Sequence, residues 1–221
     1  MDLDFAMGTG LAGRVRVGLL VIEGVSVREN DAALAAVVDA ECAALRARYG
    51  EGKSSEVPGA QDARTLYKAL GIDPTKTRPS NEALLRRALK GETLYRINTL
   101  VDALNLSSLR EQLPFGLYDL DRVRPPVELR LGGAGEAYEG IRKGPVQVDG
   151  RPVLVDAEGP FGNPTSDSQR TCITLGTTRC LVVAYAPAGY ATARLDGVLD
   201  RTAAALTRAC GGTSSLKRQA P

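Results

Sequence analysis

The chain has 221 residues, 43% hydrophobic and 24% charged, a composition that suits a globular protein able to bury a full core. A net charge of +2 excludes a strong global field, so any nucleic-acid contact must come from a local basic patch. Histidine is absent, which removes the commonest general base near neutral pH, the commonest metal ligand and every Ser-His-Asp or Cys-His arrangement.

The N-terminus, MDLDFAMGTG, is acidic where a signal peptide needs a basic start. It leads into GTGLAG at Gly8–Gly13, a formal G-x-G-x-x-G match. A dinucleotide site needs a strand before this motif and a helix after it. The residues after Gly13 read as a strand, so the match is set aside. Val15 to Val27 is β-branched and apolar, as a buried strand should be. Asn30 or Asp31 then caps a helix through about Tyr49, and Gly50 to Ser55 is a polar loop. Cys42, Cys172, Cys180 and Cys210 are far apart and form no C-x-x-C pair, so they read as free thiols.

Pro58 to Leu70 is a second expected helix, stopped by Gly71, and Asp73-Pro74 marks a turn. Ser80 or Asn81 caps a third, with Glu82 in its first turn and Leu84, Leu85, Ala88 and Leu89 on its apolar side. Arg86, Arg87 and Lys90 make the outside of that helix basic, which is either a solvated face or a phosphate contact. A fourth helix, about Tyr95 to Leu106, should bury Ile97, Leu100, Val101 and Leu104. Asn98, Asp102 and Asn105 line up on a neighbouring face, either solvated or turned as a hydrogen-bonding row toward a cleft. Pro114-Phe115-Gly116 reads as a turn that leads to the acids Asp119 and Asp121.

From Val127 the apolar period changes to two. VELRL, AYEGI, PVQVDG and PVLVDAEG read as short strands, with Asp149-Gly150 as a type I′ hairpin turn. CITLGTT and CLVVAYAP are two more expected strands, the second apolar throughout and central. Between these groups, Gly159 to Thr171 is a hydroxyl-rich loop. A helix from about Thr192 to Cys210 comes next, and residues 211–221 read as a disordered basic tail. No run of about 18 apolar residues is present to span a membrane, and a cytoplasmic protein is expected.

Several segments, in this order, resemble the B3/B4 domain of the bacterial phenylalanyl-tRNA synthetase β subunit, and more closely the free-standing B3/B4-domain proteins. They are RPSNEALLRR (Arg78–Arg87), INTLVDALNLSSL (Ile97–Leu109), PFGLYDLD (Pro114–Asp121), LRLGGAGE (Leu129–Glu136) and SDSQRT (Ser166–Thr171). The similarity runs from about Val57 to Pro187. It implies an α+β fold, a mixed β-sheet with helices packed on it, forming a single B3/B4-like domain over residues 1–210 with a pocket at one side.

In the synthetase that pocket hydrolyses a wrongly attached tyrosine from tRNA. The resemblance therefore implies an aminoacyl-tRNA trans-editing protein that binds the 3′ end of tRNA and its amino-acid moiety. No DNA, membrane, metal or cofactor is expected. Where the synthetase motif Gln-Pro-Leu-His-Ala-Phe-Asp carries its pocket histidine, this chain has Gly116. Tyr118 takes the Phe position and Asp119 keeps the acid. Asn163, Pro164 and Thr165 stand near the synthetase's Gly-Gly turn.

Ester hydrolysis needs an activated water and donors for the oxyanion. Without histidine the carboxylates Asp167 and Asp119 are the catalytic candidates, with Asp102 behind them. An ordinary Asp is ionised at pH 7 but a weak base, so its pocket must raise its pKa or the substrate must assist. Asn98, Asp102, Tyr118, Asn163, Thr165, Ser166, Ser168 and Arg170 are the candidate substrate contacts. Arg78, Arg86 and Arg87 are candidates for tRNA phosphates. Local structure competes for some of these groups: Asp119 can simply accept in a turn, and Ser166-Asp167-Ser168 can close a loop by side-chain to backbone bonds. Two other classes stay open: a non-catalytic module holding an amino acid, nucleotide or tRNA in the same cleft, and a small-molecule hydrolase or transferase.

Overall fold

The computed structural model describes residues 3–50 and 52–220. In chain order, β1 (Phe5–Met7) and a 3-10 turn lead to β2 (Val15–Glu23), then come α1 (Ala32–Tyr49), α2 (Ala60–Ala69), α3 (Ser80–Leu89) and α4 (Thr99–Glu111). The strand-rich part is next: β3 (Phe115–Asp119), β4 (Val127–Leu131), β5 (Ala137–Gly140), β6 (Gly144–Gln147), β7 (Pro152–Asp156), β8 (Gly159–Asn163), β9 (Ser166–Asp167) and β10 (Arg179–Pro187). α5 (Thr192–Cys210) and β11 (Thr213–Ala220) close the chain. The fold is α+β with mixed sheets, as expected.

The central layer is an antiparallel sheet in the order β11-β2-β10-β3. β10 is its middle strand and, after Arg179, is buried throughout. Its alternation divides the core. Leu181, Val183 and Tyr185 face a second sheet, β1-β4-β7-β8-β9, and share that interior with α2. Cys180, Val182, Ala184 and Ala186 face α4 and α5. Gly18 in β2 admits the close approach of α5, because a Cβ there would collide with Leu199. β1 pairs with β4 in parallel and the other pairs of the second sheet are antiparallel.

Several boundaries differ from the sequence expectation. α4 begins at Thr99 rather than near Tyr95. The Asn98 carboxamide oxygen accepts from the Val101 amide at 3.0 Å, and the Asp102 carboxylate accepts from the Ile97 amide at 3.1 Å. This reciprocal cap stops the helix there, and Ile97, expected inside, is 48% exposed. At α3 neither Ser80 nor Asn81 caps. The Ser80 hydroxyl donates to the Pro164 carbonyl and the Asn81 amide to the Gln112 carbonyl. Pro114-Phe115-Gly116 leads into a strand rather than a turn, with Phe115 and Leu117 toward the helices and Tyr118 toward the second sheet.

The Asp149-Gly150 turn closes with Arg151 donating to Val148, but only Gly150 has a positive φ, which a type I′ turn requires of both residues. Its flanking strands belong to different sheets, so it is not a hairpin. CITLGTT is irregular, held by the Thr177 hydroxyl, while the loop expected over Gly159 to Thr171 contains β8 and β9. The tail expected to be disordered forms β11. It pairs with β2 from Thr213 opposite Glu23 to Ala220 opposite Val17, and Leu216 packs on the core. The amides and carbonyls of β2 need a neighbour on that side, and the tail supplies one. Pro221 lies outside the described residues. Gly8–Gly13 runs into β2, so the G-x-G-x-x-G match has no helix behind it.

Candidate functional site

The β8–β9 hairpin turns through Asn163, whose side-chain oxygen accepts from the amides of Thr165 and Ser166 at 2.8 and 2.9 Å. α2 and α3 hold this turn from outside. The Tyr67 hydroxyl donates to the Pro164 carbonyl at 3.0 Å and meets the Thr165 hydroxyl at 3.0 Å, and Ser80 donates to the same carbonyl. The β5–β6 hairpin lies across β9 on the other side. Tyr138 donates its hydroxyl to the Ser166 carbonyl, and the Lys143 ammonium donates to the Ser166 hydroxyl at 2.6 Å. Gly140 bridges to Ser168, and the Gln169 amide donates to Glu139.

These contacts fix Asp167 where β9 passes the edge strand β3. The residue keeps part of its surface exposed, but its carboxyl is buried beside Tyr118, Tyr138 and Tyr185. Burial raises its pKa to about 7. The Tyr118 phenol, the Leu117 amide and the Lys143 charge pull in the other direction without cancelling the rise. Burial also pushes Tyr67 up to about 12, and Tyr118, Tyr138 and Tyr185 well above the ordinary phenol range. The Tyr118 and Tyr185 hydroxyls are fully buried and make no hydrogen bond of good geometry. The Tyr118 phenol bears on both the Asp167 carboxyl and the Tyr185 hydroxyl, so the three groups form one buried polar cluster within an apolar layer. A carboxyl near 7 is partly ionised at neutral pH and basic enough to take a proton, a condition an ordinary Asp does not meet.

The other candidates do not join it. Asp119 accepts from the Thr177 hydroxyl at 2.8 Å and from the Asp121 amide at 3.1 Å, with Arg122 at 3.7 Å, so its oxygens are occupied in the corner after β3. Asn98 and Asp102 cap α4, on the opposite face of the central sheet from β8 and β9. The hydrogen-bonding row and the hydroxyl-rich segment therefore do not meet around one hollow. Ser168 bonds Thr171 and closes its own turn.

Arg170 grips the fully buried Asp156 carboxylate through two bonds of 2.8 and 3.0 Å and also reaches Glu158, leaving its fork no room for a ligand. Arg87 is engaged with Thr93, Glu92 and the Tyr95 ring. Arg86 is exposed. Arg78 is 3.6 Å from the buried Glu82 and lies near the β8–β9 turn, two residues before Ser80.

Asp167, Tyr118, Asn163, Thr165 and Ser166 are thus the sequence candidates brought together. Tyr67, Tyr138, Lys143 and Tyr185 were not anticipated. Four of the seven tyrosines converge here from α2, β3, β5 and β10, and no spacing in the chain announces it. An apolar cavity of about 400 Å³ lies elsewhere, between α1, α4 and α5, floored by Leu34, Ala103 and Leu106. Among the described residues no group of three His, Cys, Asp or Glu side chains is placed to hold a metal, and no helix is long and apolar enough to cross a membrane.

Residues 62–211 match the family model of the B3/4 domain. Among solved structures, the chain is similar to an N-terminal fragment of the phenylalanyl-tRNA synthetase β-subunit from Pyrococcus horikoshii, with a TM-score of 0.53 and 13% identity. The match covers 100% of this chain and 55% of that fragment, and at this identity it shows a shared fold. No curated protein matches the chain.

Proposed function

The chain belongs to the B3/4 domain family, and from that premise we propose that it acts on aminoacyl-tRNA, hydrolysing an aminoacyl ester with Asp167 as general base. The observation that carries the reading is the Asp167 carboxyl raised to about 7 by burial. In the ionised form it takes a proton from water as the water oxygen bonds to the ester carbon. The bond from that carbon to the ribose oxygen then breaks, and the leaving oxygen receives the proton back from Asp167. The products are the free amino acid and the unacylated tRNA end. The Lys143 ammonium, whose charge acts on Asp167, offsets negative charge as it develops. Arg78, two residues before α3, and the exposed Arg86 are the cations proposed to meet tRNA phosphates.

Purified protein incubated with a panel of mischarged tRNAs tests this. At least one ester should be lost faster than in buffer, with a rate that rises through about pH 7 as Asp167 ionises and falls by about 100-fold or more in Asp167→Asn. No acceleration with any ester would reject the hydrolase.

The burial of Asp167 against the Tyr118 ring favours a second reading, a module that binds without turnover. It predicts a thermal shift that grows with tRNA or amino-acid concentration and no ester loss.

A further inference from the structure

We propose that the apolar cavity between α1, α4 and α5 is a binding site for a straight-chain aliphatic monocarboxylate, whose charged end is held by Arg208. The site lies in the helical layer, across the central sheet from Asp167, and does not depend on the hydrolytic reading.

α1 and α5 both pack on α4 and leave a furrow between them. Ala103 and Leu106 of α4 are buried and form its floor. Leu34 of α1 and Ala205 and Ala209 of α5 are half-buried and form its walls. Three of these five residues are alanine, whose short side chains do not fill the space between the helices. Protein interiors are ordinarily packed as densely as an organic crystal, with few voids larger than a water molecule. This cavity is about 400 Å³. Ligand sites range over roughly 300–1,000 Å³. No aromatic ring lines it, so it offers a flexible alkyl chain good contact and a flat ring nothing to stack on.

The charges at the mouth select the other end of the ligand. Both oxygens of Glu111 accept from Arg201 at 2.7 Å. Asp31 accepts from the Leu34 amide at 2.9 Å and from Arg28 at 2.6 Å. Arg110 engages Glu41 through its Nε alone, at 2.6 Å. Arg208, exposed in the last turn of α5, makes no hydrogen bond or ion pair among the described residues. The acids are therefore occupied and one cation is left over. A guanidinium pairs with a carboxylate through two parallel bonds. One negative charge matches the one unmatched cation, whereas a dianion would bring surplus charge beside Asp31 and Glu111.

A partner protein is a poorer match. A stable interface buries about 1,200 Å² or more, and among the described residues Val37 is the one large apolar side chain exposed at this mouth. The apolar surface lies inside the hollow, where a thin chain can reach it.

Calorimetric titration of the full chain with hexanoate, octanoate and decanoate, each kept below its micelle concentration, tests the site. Decanoate should bind one per chain, with Kd falling about 2–4-fold for each CH₂ added along the series. Decylamine brings a cation to Arg208, and sebacate carries a second carboxylate into the apolar end. Both should bind at least ~10-fold more weakly than decanoate. Arg208→Gln should weaken decanoate by ~5-fold or more and narrow its advantage over decylamine. Ala205→Leu, a good helix former that enlarges the wall, should weaken the whole series by ~10-fold or more. Ala209→Leu serves in its place if that variant does not fold. No binding of decanoate, several molecules bound per chain, or equal binding of decylamine would overturn the proposal. So would a dimer in sedimentation that Ala205→Leu dissociates, because a second copy of the chain would then cover the cavity.

Discussion

Asp119 at the end of β3 and Asp167 in β9 come from neighbouring strand edges, and their surroundings differ completely. Asp119 is 5% exposed, and its oxygens meet a threonine hydroxyl, a backbone amide and an arginine. Asp167 lies against tyrosine rings in an apolar layer, and its burial there raises its pKa to about 7. Burial is common to both. What separates a structural acid from a reactive one is whether the groups around it satisfy its negative charge. The same holds for Asp102. Burial raises its pKa too, but its oxygen holds the amide before α4, so it belongs with Asp119.

Four measurements would break or sharpen this contrast. Asp119→Ala strands the buried Thr177 hydroxyl and the Asp121 amide, and should cost about 2–3 kcal/mol in urea unfolding. A loss below that of a simple helix cap would mean that the corner is not held by this acid.

Asp167→Asn should do the opposite and raise stability by roughly 2 kcal/mol at pH 8. The folded protein holds a proton on Asp167 up to about pH 7, while the unfolded chain releases it near the ordinary value of 3.8. The folded state is therefore favoured by this group below about pH 4, and that advantage is lost as pH rises through 7. The gain from the amide should vanish at pH 4, and a gain independent of pH would show that Asp167 is not a raised carboxyl.

Asn98→Ala removes the cap of α4 and should cost about 1 kcal/mol, without changing the rate of ester hydrolysis. A fall in rate beyond the loss of folded protein would return the α4 terminus to the site.

Glu136 is the half-buried counterpart of the satisfied acids. Arg130 on two bonds of 2.7 Å, with the Gly133 amide, lowers its pKa to about 2. Glu136→Gln should cost about 0.5 kcal/mol near neutral pH. Because this pKa is depressed, the stabilisation is present above about pH 4.5 and is lost as pH falls toward 2, the reverse of Asp167. Chemical denaturation at pH 7 and pH 3 reads both signs.

Local pattern alone located most of the helices and the central strand. Asp31 caps α1 and Gly71 comes after α2 with a positive φ, as their residue types require. The apolar run at 180–187 reads as an interior strand, because every side chain on both faces had to be covered. These elements are determined within a few residues of chain, by caps, breakers and periodicity. β11 was not legible, because TSSLKRQA has too little apolar surface to fold by itself and becomes a strand only where β2 offers an unpaired edge.

The site divides in the same way. Asp167 could be singled out because a chain without histidine leaves few groups able to move a proton, and Tyr118 because its segment resembles a known motif. That Asn98 would cap, that Arg170 would close on Asp156, and that Tyr138, Tyr185 and Lys143 would come to Asp167 depended on strands far apart in sequence. Residue type states which proton or hydrogen bond a side chain can offer. Only the packing of the two sheets decides which offers are already taken and which acid is buried without enough of them to keep its pKa low.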